Sequence, residues 1–167
     1  MGEQGNDEVL FEEEQRFRQL WLILLVGIEV VIFWGIPVLQ IVFLPKEPLV
    51  LAFIFWLLFG VILPVFMLVL KMTIKVYKDR IIISFFPIMR PKTIYLKDIE
   101  HDEARHYKPI AEYGGWGIRI SLKYGKAYNV SGDMGVQLVL KDGKNILIGS
   151  QRAEEFAQAI TIAMSGK

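Results

Sequence analysis

The chain contains no cysteine among its 167 residues and only two histidines. The lack of cysteine excludes disulfides, thiolate metal sites, cysteine nucleophiles and palmitoylation. A zinc-protease motif requires two histidines four residues apart, with Glu after the first. His101 and His106 are five apart and Asp102 follows the first, so we expect two solvated strand residues on opposite faces. We therefore predict that the protein is not an enzyme and uses no metal or cofactor.

The sequence also lacks the glycine patterns of nucleotide-binding loops, GxGxxG and GK[ST]. Its one glycine-rich stretch is "EYGGWGIRI", residues 112–120. A phosphate loop needs a helix after the glycines, whereas Ile-Arg-Ile-Ser-Leu is typical of a strand. We predict that the glycines form a bend and that Trp116 begins a strand. Trp116 and Arg119 are candidates for the border of a partner-binding surface.

Acidic and basic residues both occur at the two ends of the chain, but they are unevenly distributed. Residues 1–20 hold six acids and two arginines, whereas residues 71–167 hold sixteen Lys and Arg against ten Asp and Glu. The basic part shows no dense stripe of cations, so no nucleic-acid partner is expected.

Long apolar runs are abundant, and hydrophobic residues make up 53% of the chain. Residues 20–44 and 49–70 form two such runs, separated by "PKEP" at residues 45–48. A helix of about 22 residues spans roughly 33 Å, enough for a hydrocarbon core of about 30 Å. We predict two transmembrane helices joined by an external turn. The alternative, two helices buried in a soluble protein, is disfavoured because the rest of the chain is too small to bury them.

Positive charges predict how this hairpin is oriented. Arginines precede the first run, and four cations follow the second: Lys71, Lys75, Lys78 and Arg80. By the positive-inside rule the protein is a multi-pass plasma-membrane protein with both termini in the cytoplasm. Residues 1–19 are then a cytoplasmic N-terminal segment, and residues 71–167 a cytoplasmic domain. The same four cations are candidates for contact with anionic lipids or with a partner.

The first run contains one ionisable residue, Glu29. An ionisable group at such a depth is by default a functional hypothesis. We favour a protonated carboxyl, or one that is hydrogen-bonded within the hairpin or between copies, because the runs offer no second acid or base for a relay. A small transporter or channel subunit is a distant alternative that rests on Glu29 alone. The segment before this run is predicted to be helical, since Glu12–Arg16 and Glu14–Arg18 stand four residues apart.

Alternating apolar residues predict β structure from residue 71 onward. The strand segments are "MTIKVYKDRIIISFF", a hairpin around Lys78-Asp79, then "KTIYLKDIEHDEARHY", "WGIRISL", "KAYNVSG" and "GVQLVLKDGKNILIGS". Asp142-Gly143 in the last of these predicts a type I′ turn. The final segment predicts an amphipathic helix with Ser150 as N-cap and Phe156, Ala159, Ile160 and Ala163 on its apolar face. The expected fold class is α+β, a barrel or sandwich of about seven strands closed by a C-terminal helix.

This order of elements resembles the bacterial pleckstrin-homology-like (PH-like) domain that follows a pair of membrane helices in an uncharacterised family. The similarity rests on "TIKVYKDRIIIS", "IYLKDIEHDEA", "GWGIRI" and "GVQLVLKDGKNILIGSQRAEEFAQAI", with "EEEQRFRQLW" as the entry segment. The resemblance implies a non-enzymatic, membrane-tethered module that binds a protein partner or forms a homo-oligomer. The alternative is a module that senses anionic membrane lipids through the cations after the second run.

Overall fold

The computed structural model describes residues 8–18, 20–43 and 53–166. The predicted external turn at residues 45–48 lies outside this part of the chain. The chain divides into two compact units. The helical unit runs from Arg16 to Leu70, and the β unit combines the residues up to Gln15 with those from Lys71 onward.

The helical unit packs two helical segments against each other. Helix α1 is Leu20–Phe43; a π-helical segment, Trp56–Ile62, continues into α2, Leu63–Val69. Gly60 marks the closest approach, because a Cβ there would lie 3.2 Å from the Cβ of Phe33. Trp34 Nε1 donates a hydrogen bond to the Gly60 carbonyl at 3.3 Å. The packing therefore depends on the missing side chain at position 60.

Within the described ranges, no helix has both the length and the apolar character needed to cross a membrane. Helix α1 has 24 residues but contains the ionisable Glu29, whose transfer into hydrocarbon costs free energy. The predicted transmembrane pair, 20–44 and 49–70, is therefore wrong. With it fall the plasma-membrane localisation, the membrane-anchored function and the lipid-sensing and transporter alternatives.

The segment before α1 is a strand and not the predicted helix. Strand β1 is Phe11–Arg16, and its residues alternate between buried and exposed. The buried positions are Phe11, Glu13 and Gln15. Two of them are polar, which conceals the two-residue period in the sequence. The spacing of four between acids and arginines was therefore a misleading signal.

Strand β1 forms one edge of a four-stranded sheet with the order β1-β2-β3-β4. The other strands are β2, Lys71–Val76, β3, Arg80–Phe86, and β4, Met89–Tyr95. The β2–β3 hairpin is confirmed, with Val76 opposite Ile81. Its inner face is the alternating set of buried apolar side chains Met72, Ile74, Val76, Ile81, Ile83 and Phe85.

The second sheet has five strands in the order β5-β8-β9-β7-β6. These are β5, Ile99–His106, β6, Gly117–Ser121, β7, Gly125–Asn129, β8, Met134–Leu140, and β9, Asn145–Gly149. A short helix, α3, Pro109–Tyr113, lies between β5 and β6. The pairing of β7 with β9 is parallel, and the other pairs in this sheet are antiparallel. The described residues thus form nine strands, of which eight lie in the range from residue 71 onward where about seven were predicted.

The β8–β9 hairpin lies where Asp142-Gly143 predicts it, but its turn is of another type. A type I′ turn needs two residues with positive φ, and here Gly143 has φ 80° while no non-glycine residue that the structure describes has a positive φ. Gly143 N donates to the Leu140 carbonyl at 2.8 Å, and Leu140 N donates to the Lys144 carbonyl at 2.9 Å. This is the pattern of a type I turn followed by a left-handed glycine.

Helix α4, Ala153–Ser165, closes the β unit. Its predicted apolar face is confirmed, because Phe156, Ala159, Ile160 and Ala163 are buried. The predicted N-cap is wrong by two positions, since Arg152 occupies it. Ser150 acts differently: its hydroxyl accepts a hydrogen bond from Arg152 N at 3.0 Å and donates one to the Glu13 carboxylate.

Candidate functional site

The glycine stretch ends a helix and begins strand β6. Gly114 caps α3 in the left-handed conformation with φ 72°, and its N–H donates to the Ile110 carbonyl at 2.9 Å. Gly115 and Gly117 also have positive φ, at 124° and 110°. This backbone is a helix C-cap followed by an extended chain. The stretch therefore offers no helix N-terminus to a phosphate group.

Side chains hold this bend in place. Trp116 Nε1 donates to the Gly132 carbonyl at 3.0 Å, and Arg119 Nε donates to the Trp116 carbonyl at 2.8 Å. The Gly117 N–H donates to Asn129 Oδ1 at 2.8 Å. Trp116 and Arg119 thus lie beside each other at the start of β6; Arg119 contacts the backbone of the bend, and Trp116 ties the bend to the loop before β8.

A buried polar network lies under this bend. Asn129 Nδ2 donates to the Tyr107 hydroxyl at 3.0 Å. Burial, more than any neighbouring charge, raises the pKa of Tyr107 to about 12. Nearby, Arg105 forms an ion pair with Glu112 at 2.8 Å, and this hydrogen-bonded pairing lowers the pKa of Glu112. Each of these polar groups has a hydrogen-bond or ion-pair partner beside it, which indicates a structural role.

The outer edge of β6 is the most apolar exposed strand edge of the second sheet. Strand β6 ends the order of that sheet, so no other strand pairs with this edge in the described part of the chain. Ile120 is 77% exposed, and Leu122, just after the strand, is fully exposed. Ile118 and Ile120 share one face of the strand by alternation, and Leu122 lies in the turn that follows. Unpaired edges with exposed apolar side chains are templates for pairing with another chain.

The four predicted cations do not form an uncompensated basic patch, because each has an acidic partner. The pairs are Lys71–Glu14 at 2.6 Å, Lys75–Glu12 at 2.9 Å, Lys78–Glu8 at 2.6 Å and Arg80–Asp79 at 3.1 Å. The hydrogen bond to Glu12 raises the pKa of Lys75, and that from Lys78 lowers the pKa of Glu8. Glu12 and Glu14 of β1 thus neutralise the two lysines of β2, and Glu8 before β1 neutralises Lys78 after β2.

Glu29 lies in the helical unit, whereas the other predicted site residues belong to the β unit. Both of its carboxylate oxygens are buried and have no hydrogen-bond partner among the described residues. Around it the unit exposes large apolar side chains, including Ile28 at 62% and Val31 at 72%. Exposed apolar surface of this kind marks a place of interaction.

The two histidines lie on β5, as predicted for strand residues, and both are exposed. His106 Nδ1 is 3.5 Å from Asp133 Oδ2 on the surface. No group of three or more metal-ligating side chains occurs in the residues that the structure places.

Lys92, Lys126 and Tyr128 form a group that the sequence analysis did not predict. Lys92 of β4 and Lys126 of β7 place their ammonium groups 5.6 Å and 5.1 Å from the ring centroid of Tyr128. The Tyr128 ring is fully buried, and its hydroxyl has no hydrogen-bond partner among the described residues. A signal was available in "KAYNV", because alternation places Lys126 on the same face as Tyr128.

The model of a family of unknown function, DUF6141, matches residues 2–166. The match covers nearly the whole chain. None of the curated proteins matches it. The family description assigns no activity, so it adds no substrate or partner to the geometry.

Proposed function

The chain belongs to the family of unknown function DUF6141, and from that premise we propose a function. The protein is a non-enzymatic binding module whose β unit is PH-like and whose copies assemble with one another. The observation that carries the proposal is the unpaired edge of β6, with Ile120 77% exposed on it. The PH-like assignment is supported by the two sheets and by the C-terminal helix α4, which buries its apolar face.

The occupant of the β6 edge is β6 of a second copy, in antiparallel pairing about a twofold axis. Such an interface is self-complementary, so each residue faces a fixed partner in the other copy. With the axis at Ile120, Ile120 faces itself, Ile118 faces Leu122 and Arg119 faces Ser121. An axis at Arg119 would instead place two guanidinium groups opposite each other, which is destabilising. Charge therefore favours the register centred on Ile120.

The pairing joins two five-stranded sheets into one continuous sheet of ten strands. It brings the apolar side chains at 118, 120 and 122 of both copies together on one face. Antiparallel partners have Cα atoms about 4.5–5.5 Å apart, within the range of a disulfide. Because the natural chain has no cysteine, a single introduced cysteine reports on this contact without background.

The test is oxidative crosslinking of purified full-length Ile120→Cys in a mild non-ionic detergent, which keeps the exposed apolar helices dispersed. The matched control is Lys141→Cys, at the exposed β8–β9 turn. We expect a covalent dimer of Ile120→Cys within minutes and little dimer for the control. Equal, slow crosslinking of the two variants would contradict the proposal.

A second variant separates loss of assembly from loss of folding. Ile120→Glu places two carboxylates at the twofold axis, whereas within one chain it stands opposite Lys126, and Ile120 is exposed, so the isolated chain tolerates the change. We expect light scattering to show a dimer for the natural chain and a monomer with unchanged thermal unfolding for Ile120→Glu. If both proteins are monomers, the assembly role is wrong, and an apolar partner or amphiphile must cover the edge instead.

A further inference from the structure

We propose that Lys92, Lys126 and the Tyr128 hydroxyl bind an oxyanion of the phosphate class between the two sheets of the β unit. This site uses different side chains from the β6 pairing, although Ile118 and Ile120 of β6 stand opposite Tyr128 and Lys126. Its donors are two ammonium groups, with three N–H each, and one phenolic O–H.

Both lysines belong to the inner faces of the sheets. Lys92 stands opposite Ile83 of β3, and Ile83 is fully buried. Lys126 stands opposite Ile146 of β9, which is 3% exposed. Residues directly opposite on neighbouring strands point to the same face of a sheet. Each sheet therefore carries one lysine at a position where its neighbours are apolar.

The two lysines converge although they come from different sheets. Their ammonium groups lie 5.6 Å and 5.1 Å from the same Tyr128 ring centroid. Neither lysine forms an ion pair with any residue that the structure describes. Two like charges held near one ring repel each other, and the aromatic face offsets only part of that repulsion. A bound anion would remove the remaining repulsion.

The tyrosine adds a second, independent observation. A buried hydroxyl without a partner is costly, and native proteins rarely retain one. Tyr128 is fully buried and its hydroxyl has no partner among the described residues. An oxyanion oxygen is an acceptor for this hydroxyl and for both ammonium groups. One ligand therefore satisfies the three unmatched groups together.

Protection of a sheet edge explains these residues less well. Inward-pointing lysines do guard edge strands against unwanted pairing, and β4 is an edge strand. Strand β7, however, lies between β9 and β6, so Lys126 has no edge to guard. Edge protection also gives no reason for the hydroxyl of Tyr128. An anion site accounts for all three.

The experiment titrates the full-length protein with inorganic phosphate at constant ionic strength, with chloride as the balancing ion. Binding is followed by calorimetry and by the shift in unfolding temperature. The variants are Lys92→Met, Lys126→Met and Tyr128→Phe, which keep most of the buried volume. The matched control is Lys97→Met, because Lys97 also lies over a tyrosine ring, that of Tyr95, at 5.4 Å.

We expect saturable phosphate binding to the natural chain. Each lysine variant should weaken it about tenfold or more, since loss of about 1.4 kcal/mol changes Kd tenfold. Tyr128→Phe should unfold at an equal or higher temperature without phosphate, because an unmatched hydroxyl is gone, yet bind phosphate more weakly. Lys97→Met should bind normally.

Two results would overturn the proposal. One is a natural chain that responds to phosphate no more than to chloride. The other is an equal weakening of phosphate binding in Lys97→Met and Lys92→Met, which would show that the effect is only general electrostatic attraction. The source of the phosphate group is assigned by competition with a soluble phosphomonoester and with phosphatidic-acid vesicles, against phosphatidylcholine vesicles. Displacement by either source through both lysines supports the site.

Discussion

Replacement of Glu13 tests how β1 is held in the β unit. Its carboxylate is only 8% exposed and joins β1 to the chain before α4. One oxygen accepts a hydrogen bond from Gln151 N at 2.9 Å, and the other accepts one from the Ser150 hydroxyl. Hydrogen bonds to a charged group contribute about 1.5–3 kcal/mol each. Water can rehydrate part of the freed groups, so we expect Glu13→Ala to lower the free energy of unfolding by about 3 kcal/mol.

The neighbouring Glu14 is a matched control, since it has the same side chain on the opposite face of β1. Its carboxylate is 39% exposed and pairs with Lys71 at 2.6 Å. Exposed ion pairs contribute about 0–1 kcal/mol, so Glu14→Ala should cost at most about 1 kcal/mol. Glu13→Gln should lie between the two, because an amide keeps one acceptor oxygen.

The assay is calorimetric thermal unfolding of the full-length variants. For a unit of roughly 100 residues, 1 kcal/mol corresponds to a shift of about 4–8 °C. Glu13→Ala should therefore unfold about 12–24 °C below the natural chain, and Glu14→Ala within about 8 °C of it. Equal shifts for the two alanine variants would refute the reasoning, because they would show that the Glu13 carboxylate does not anchor β1.

Three further predictions concern the β unit. Gly125→Ala should destabilise far more than Gly143→Ala in urea unfolding, because a Cβ at 125 would lie 2.2 Å from the Asn145 carbonyl oxygen, whereas open space surrounds position 143. Both glycines have positive φ, so Gly143→Ala should still lower the free energy of unfolding by about 1–2 kcal/mol. Comparable losses of stability in the two variants would contradict the prediction. An ultraviolet titration should show one tyrosine ionising near pH 12, absent in Tyr107→Phe. Because folding raises this pKa, the stability from neutral Tyr107 is present below about pH 10 and is lost as the pH rises towards 12. Phe11→Ala should lower the free energy of unfolding by about 3–5 kcal/mol, since its ring is 6% exposed; a loss under about 1 kcal/mol would show that the ring is not buried.

Local patterns predict the hairpins and the last helix well. The β2–β3 hairpin follows from two alternating apolar runs, and the β8–β9 hairpin from a glycine that accepts positive φ. The apolar face of α4 follows from a period of 3.6 residues. Each of these features depends on residues close to one another in the chain.

Strand β1 shows where local patterns fail. Glu13 and Gln15 are buried because their hydrogen-bond partners, such as the Gly149 carbonyl at 2.8 Å from Gln15 Nε2, lie more than 130 residues away in the chain. Nothing near them in the sequence indicates those partners. The same applies to Glu14 and Glu12 of this segment, which pair with Lys71 and Lys75 of β2. Apolar runs likewise predicted membrane spans that the described helices do not form.

The candidate sites divide in the same way. The bend at Gly114, the strand after it and the exposed residues Ile120 and Leu122 follow from glycine conformation and alternation, although only the strand order places β6 at an edge. The convergence of Lys92 and Lys126 on Tyr128 comes from two different sheets. By itself the sequence determined the β-rich character of residues 71–166, their hairpins and the face of the closing helix, because the period of apolar side chains is a local property. Only the tertiary structure decided which edge stays open, which charges neutralise each other and which polar groups stay unmatched, because these depend on distances between residues far apart in the chain.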